Sequence, residues 1–561
     1  MLRIVFLLLF FISCSVEKPV LESDHENRDD SELQCGNYEV TVETPVMPSV
    51  PEIDELPSYS KAMSDCIQMP EIIEEKIVLE EGCYQGCMTV LGKLSITGKG
   101  CGKTVIVCEE TDAQAVITVK ENSEVNIDNV TLSGLTRGVL VEKESAVFIN
   151  ETVISDCVKG GINVCGGESE CGSELFFERS RIENIVPEKQ TEISYGISMG
   201  PGRVTIKDSV MSGFNSFGVA LWGEDEGQSI VAEIENTVIS DIYGGDEIFE
   251  GHAVYADGGT VLSIAESKIN DSSATFIYFS SDMAGGVLNM SDVTLENIIK
   301  TEKEQGGIVL DGRMSAQMER IYIKNSRGNG IFSNGTEITA NDITIDSVFS
   351  DGFGNNGSGM MLFDGSNSEF NRVYIKNSQT AGILMDGICF VKIENFTISQ
   401  TRSDSSIFEF GVGAAVQEGA ELIMESGIID GNRECGVMAV NGKVDMNNVE
   451  IKNTMPRECY ELNNCQFAFG VPFGHGVSLY QSSELVIGKV HISNNNNGLN
   501  IESSKVVKKG TDSASFTKNI NAVNAWNISS YGDLEKSLTN SEYCENQTVF
   551  TTDVQPVRDG I

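Results

Sequence analysis

Two nearly verbatim stretches, Arg320-Ile-Tyr-Ile-Lys-Asn-Ser and, 52 residues later, Arg372-Val-Tyr-Ile-Lys-Asn-Ser, carry residue types suited to contact chemistry. The alternation that sends Ile321, Ile323, Val373 and Ile375 inward sends Tyr322, Lys324, Tyr374 and Lys376 outward, with Arg320 and Arg372 at the preceding corners. Cations beside exposed tyrosines suit contact with a glycan or a partner protein. The copy between them puts Thr344 and Asp346 on the same surface, which also permits an ordinary charge ladder of Lys324, Asp346 and Lys376. His475, in Gly474-His475-Gly476, is the candidate for acid-base catalysis, although Gly251-His252-Ala253 recurs at the equivalent place and the glycines there belong to a repeat. Acids such as Asp346 and Asp351 beside an Asn- and Gly-rich loop are the material for a calcium site, without the spacing of a known calcium repeat, and no other cofactor is implied. Gly98-Lys-Gly-Cys-Gly-Lys-Thr104 has three residues between its outer glycines and a strand-like Val105-Ile-Val after it, so it reads as a turn rather than a phosphate loop.

The elements that must position these residues are set by composition and period. The chain has 561 residues, 40 % hydrophobic and 22 % charged, with 56 Gly and 11 Pro, which suits many short segments joined by tight turns. A formal charge of -44 repels nucleic acid and other polyanions. From about residue 85 to 502 one phrase returns: a Gly opening an alternating apolar segment, then two further alternating segments. Examples of the first are Gly161-Ile-Asn-Val, Gly218-Val-Ala-Leu, Gly330-Ile-Phe-Ser, Gly382-Ile-Leu-Met and Gly498-Leu-Asn-Ile. Strict alternation is the strand period. The third segment carries an aliphatic at one position in every copy: Leu132, Ile154, Ile182, Met211, Ile239, Ile269, Leu295, Ile323, Ile345, Ile375, Ile398, Ile429, Ile451 and Ile492. Two residues after it, nine copies have Asn or Asp, which tolerate left-handed backbone and suit a corner.

A mean spacing near 28 residues, with three strands and no helical period per copy, excludes leucine-rich and ankyrin-type repeats and leaves a propeller the lesser option. In the second half the spacing between repeat glycines alternates, 23 then 29 and 23 then 31, so every second rung carries an inserted loop and the loops should project on one side. The fold expected is all-β, a right-handed, single-stranded parallel β-helix of three-strand rungs and about 16 to 18 coils.

Met1 to Cys14 has an early Arg3 and an apolar run from Ile4 to Ile12, too short to span a bilayer, which needs about 20 residues. Residues 15–62 are acidic and proline-bearing and read as a tether. Without Cys14, fourteen Cys remain, an even number that suits an oxidising compartment. The near neighbours Cys83 with Cys87, Cys101 with Cys108, Cys165 with Cys171 and Cys459 with Cys465 are the disulfide candidates. The domain reading is a signal peptide at 1–13, the tether at 14–62, the β-helix at 63–502 and a C-terminal cap at 503–561 against edge pairing.

The end of the leader resembles a bacterial lipobox. That resemblance implies cleavage before Cys14, a lipid on Cys14 and, with Ser15 next, an exported outer-membrane lipoprotein whose membrane contact is its lipid. Ile77-Val-Leu-Glu-Glu-Gly-Cys-Tyr, followed by Leu94-Ser-Ile-Thr-Gly-Lys-Gly-Cys, resembles the first rungs of the pectin-lyase-like superfamily, and the later rungs resemble its repeats over roughly residues 71–502. The resemblance implies the right-handed β-helix and leaves activity open, since this superfamily holds lyases, hydrolases, epimerases, adhesins and proteins without known catalysis. Gly474-His475-Gly476 is similar to a polygalacturonase motif, but the Asn-Thr-Asp, Asp pair and Arg-Ile-Lys that accompany it there are missing: the only Asp-Asp is Asp29-Asp30 and Asn453-Thr454 is followed by Met455. The reading is therefore a surface-displayed binding or structural scaffold for a polysaccharide or surface protein, with a polysaccharide lyase or glycoside hydrolase as the rival.

Overall fold

The structure is a computed structural model that describes residues 39–49, 53, 66–69, 75–110, 112–165, 171–187, 193–223, 229–244, 251–298, 306–350, 356–404, 410–457, 474–510, 514–528, 531–539 and 541–551. The chain divides into Met1–Gly36 and Asn37–Ile561, and the first unit, with Cys14 and the leader, lies outside the described residues.

The body is a right-handed parallel β-helix. Every paired strand lies parallel to a strand one coil away, so three faces run the length of the body. The first face carries the repeat glycines, as in Gly160–Val164 and Phe217–Leu221. The second is built by strands such as Ala146–Asn150 and Val261–Ala265, and the third by strands such as Arg181–Ile185 and Val238–Ile242. The strand Gly306–Arg327 passes through all three faces without a break.

On the third face the fourteen aliphatics are register partners from one coil to the next: Leu132 with Ile154, Ile154 with Ile182, and onward without a slip to Ile451 with Ile492. The column extends outward to Ile106 and Tyr84 at one end and to Phe516 and Tyr543 at the other. Its members from Ile106 to Phe516 are no more than 1 % exposed, and each such side chain contributes about 1.5–3 kcal/mol by leaving water. Nineteen third-face strands lie among the described residues, seventeen of them before residue 502.

The repeat glycine is explained by space rather than by backbone freedom. A Cβ on Gly359 would lie 2.5 Å from Ile375 Cγ2 and 2.6 Å from the Gly382 carbonyl oxygen; at Gly330 the same two neighbours are Ile345 and the Gly359 carbonyl. At these coils first-face strand and third-face aliphatic therefore meet across a corner too narrow for a side chain, whereas Ala253 and Phe276 take the same register on the two coils between Gly218 and Gly307.

That corner is turned by the expected Asn and Asp residues. Asp156, Asn184, Asp241, Asp271, Asn297, Asn325, Asn377, Asn453 and Asn494 all have φ between 51° and 65°, the left-handed region these residues tolerate. Their side chains bond along the column, as in Asn325 Nδ2 to Asn297 Oδ1 at 2.9 Å and Asn494 Nδ2 to Asn453 Oδ1 at 3.1 Å. A second left-handed column precedes the third face and includes Asp292, Arg320, Asp342 and Arg372.

Connections from the third face to the first alternate in length. Short ones join Phe214 to Phe217, Arg327 to Asn329 and Lys376 to Ala381; long ones join Ile242 to His252, Phe349 to Met360, Ser399 to Val412 and Lys452 to His475. The insertions thus enter at one corner on every second coil.

Three expectations are corrected. Parallel pairing does not stop at 502: Lys505–Lys508, Ala514–Thr517 and Asn521–Trp526 each add to a face, and Glu542–Cys544 and Thr548–Thr551 add again. The helix Tyr531–Ser537 takes the place of the next second-face strand, with Ser537 Oγ donating to the Val506 carbonyl at 2.8 Å and Leu534 and Leu538 buried. Secondly, residues 42–49 lie on the body rather than forming a free tether, and Val40 is buried. Thirdly, Cys83 bonds Cys66 and Cys87 bonds Cys108, leaving Cys101 a free thiol, because a coil places residues some twenty apart side by side. Cys165 and Cys171 are bonded as expected. Cys459 and Cys465 lie outside the described residues, while Cys157, Cys389 and Cys435 are free.

Candidate functional site

The six residues of the two verbatim stretches separate into a corner and a face. At the corner, Arg320 holds Asp292 through Nε and Nη2, both at 2.7 Å, and Arg372 holds Asp342 in the same two-pronged way. Such forks are strong, charge-assisted hydrogen bonds, and they hold both carboxyls below the usual carboxylate range. On the face, Tyr322, Thr344 and Tyr374 are successive register partners, as are Glu296, Lys324, Asp346 and Lys376. Lys376 Nζ lies 3.1 Å from Asp346 and 5.7 Å from the Tyr374 ring centre. Burial pushes the Tyr322 hydroxyl up from its ordinary value. The geometry is that of an alternating charge ladder, in which both arginines and Lys376 face acids of a neighbouring coil.

Asp346, one of the calcium candidates, accepts from Lys376, Ser347 and Asn377, and Asp351 lies outside the described residues. Among the described residues no group of three or more His, Cys, Asp or Glu is placed to hold a metal ion.

Beside the corner, on the outer surface of the second face, runs a groove of about 480 Å³ lined by Ser263, Ala265, Asn289, Ser291, Gln317, Glu319, Thr339 and Asn341 with apolar neighbours. Ser263, Asn289, Gln317 and Thr339 are register partners on four successive coils. They present one hydroxyl or amide per rung, about 4.8 Å apart. Glu319, the one carboxylate, is paired with Arg320. Alternation marks these residues as outward; that they line a groove is a property of the folded surface.

His475 lies elsewhere, buried on His475–Tyr480 in direct register with Cys435. Burial lowers its pKa to about 4 and pushes the Cys435 thiol up to about 12. Neither is poised for proton transfer or nucleophilic attack near neutrality. Next to them Arg457 grips Glu434 through Nε at 2.9 Å and Nη2 at 2.8 Å, the two side chains 3 % and 1 % exposed. Because the folded-state pKa of His475 is depressed, its contribution to stability is present above about 6.5 and is lost as pH falls toward about 4. His475→Gln is expected to flatten the pH dependence of unfolding in that window; an unchanged profile by denaturant titration at several pH values would contradict the burial argument.

Residues 284–455 and 352–508 match the family model described as a right handed beta helix region. No curated protein matches the chain. Among solved structures it is similar to the catalytic unit of a thermostable GH87 alpha-1,3-glucanase from Streptomyces thermodiastaticus, with 11 % identity over 73 % of this chain and 62 % of that one and a TM-score of 0.31. It is also similar to the pre-mature bacteriophage phi29 gene product 12, with 11 % identity, 84 % and 69 % coverage and a TM-score of 0.36. A third is a mutant of the periplasmic alginate epimerase AlgG, with 12 % identity, 75 % and 77 % coverage and a TM-score of 0.27. The chain spans less than two thirds of the glucanase unit. What the fold and the family-model match define is a parallel β-helix protein.

Proposed function

We propose that this chain is an exported, surface-displayed scaffold that binds a neutral polysaccharide along the second-face groove without cleaving it. The observation that carries the reading is the row Ser263, Asn289, Gln317 and Thr339, whose regularly spaced neutral donors and acceptors suit a hydroxyl-rich polymer. Export is supported by the disulfides Cys66–Cys83, Cys87–Cys108 and Cys165–Cys171, and the lipid anchor at Cys14 and an outer-membrane address belong to the same proposal. Tyr322 and Tyr374, with the cations beside them, are a further contact surface for the polymer or for a surface protein.

The test is to screen the full chain against neutral and acidic polysaccharides for binding and for new reducing or unsaturated ends. Binding of a neutral polymer with no new ends is expected. Asn289→Ala with Gln317→Ala should weaken it about tenfold, or about 1.4 kcal/mol. Cleavage would replace the scaffold by a carbohydrate-active enzyme, and undiminished binding by the double variant would remove the groove from the site. Tyr322→Ala with Tyr374→Ala tests the third-face surface separately.

A further inference from the structure

Residues 42–49, Val-Glu-Thr-Pro-Val-Met-Pro-Ser, cross the left-handed corner column that holds the two arginine forks. The Val46 N–H donates to Asp342 Oδ1 at 2.9 Å, the Ser49 backbone lies close enough to Asp292 to favour its ionised form, and Glu43 lies 3.8 Å from Arg372. Val42, Pro45 and Pro48 are half-buried while Glu43, Thr44, Val46, Met47 and Ser49 are exposed, a period of three.

Those facts fit one geometry. A polyproline-II segment has three residues per turn and rises about 3.1 Å per residue, so it repeats every ~9.3 Å. Asp292, Arg320 and Asp342 stand on successive coils, as the pairs Val293 with Ile321 and Ile321 with Ile343 show, which puts the two aspartates about 9.5 Å apart. Residues 46 and 49, one polyproline turn apart, therefore meet acceptors two coils apart, and the same inward face is Val42, Pro45 and Pro48. The arginine forks fix each carboxylate while one oxygen of Asp342 still accepts from the strap. Prolines at the inward positions donate no N–H there, so the free N–H groups fall where the aspartates stand.

We infer that the column Asp292, Arg320, Asp342 and Arg372 is a binding site for an extended, proline-bearing polyproline-II peptide, and that residues 42–49 of this chain occupy it in cis. The strap fixes the N-terminal connector to the middle of the solenoid, many coils from residue 66 where the described coils begin. A partner peptide of the same chemistry can reach the column only by displacing the strap. This inference is independent of the glycan reading, since it concerns the corner and not the groove.

The test uses the full chain with Val46→Pro and Ser49→Pro together, which keep the polyproline-II backbone and delete both donors. Cleavage after Glu43 by a glutamate-specific protease is expected to speed up at least tenfold, with exchange of third-face amides such as Ile345 unchanged. A labelled peptide of residues 39–49 should then bind this variant but not the parent, and Pro45→Gly with Pro48→Gly in the peptide should weaken it at least tenfold. Unchanged cleavage after Glu43 in the variant, a peptide bound equally by parent and variant, or a peptide bound by neither would each overturn the inference.

Discussion

Arg457→Met is expected to cost about 3–5 kcal/mol, because it leaves the Glu434 carboxylate buried without its two-pronged partner. The methionine fills similar volume, so the loss reports the charge rather than a cavity. Replacing both partners, Glu434→Gln with Arg457→Met, should recover much of the stability, with Gln able to keep a hydrogen bond. Denaturant unfolding of the parent and the two variants measures both effects; a loss below about 1 kcal/mol for Arg457→Met would show that the pair is not desolvated as described.

The second large effect concerns the narrow corner. Ile375→Ala in the third-face column should cost about 2–5 kcal/mol through lost burial and a cavity. Gly359→Ala should cost about 1–3 kcal/mol, because its Cβ would meet both Ile375 and the Gly382 carbonyl. Combined, the two should fall short of their sum by about 1 kcal/mol, since truncating Ile375 clears one of the two collisions. Strict additivity would mean that the repeat glycine is not there to admit the aliphatic of its own coil. Ala253 occupies the same register between Gly218 and the next coil and is accommodated, so the substitution is costly rather than forbidding.

The column was legible in the sequence because a solenoid repeats one environment: the same third-segment position faces the axis in every coil, so periodic aliphatics and their register are one statement. The corner Asn and Asp were legible for the same reason, as residues chosen by backbone conformation. The disulfides were not, because spatial neighbours along the axis are a full coil apart in sequence; Cys83 to Cys87 looks close only along the chain. The ladder of Lys324, Asp346 and Lys376 could be written down as one of two possibilities, but the arginine forks at the corner could not, because they depend on acids one coil before each arginine, Asp292 and Asp342. The groove was hidden because neutral polar residues on an outer strand face give no signal until curvature is known. The period-three pattern in residues 42–49 was present, with Pro45 and Pro48 one turn apart, but an acidic, proline-bearing stretch reads equally well as a spacer. His475 attracts notice beside its glycines, yet those glycines serve the corner and the imidazole is buried.

The alternation of short and long connections spaces the points where insertions leave the body two coils apart, like the tooth roots on the spine of a comb. Tooth length can change without altering the pitch, because the spine's spacing is fixed by pairing on either side of each tooth root. A polymer gripped by several teeth would have to match a pitch of two coils, about 9.5 Å. New specificities could thus be grafted tooth by tooth while the spine goes on folding as before.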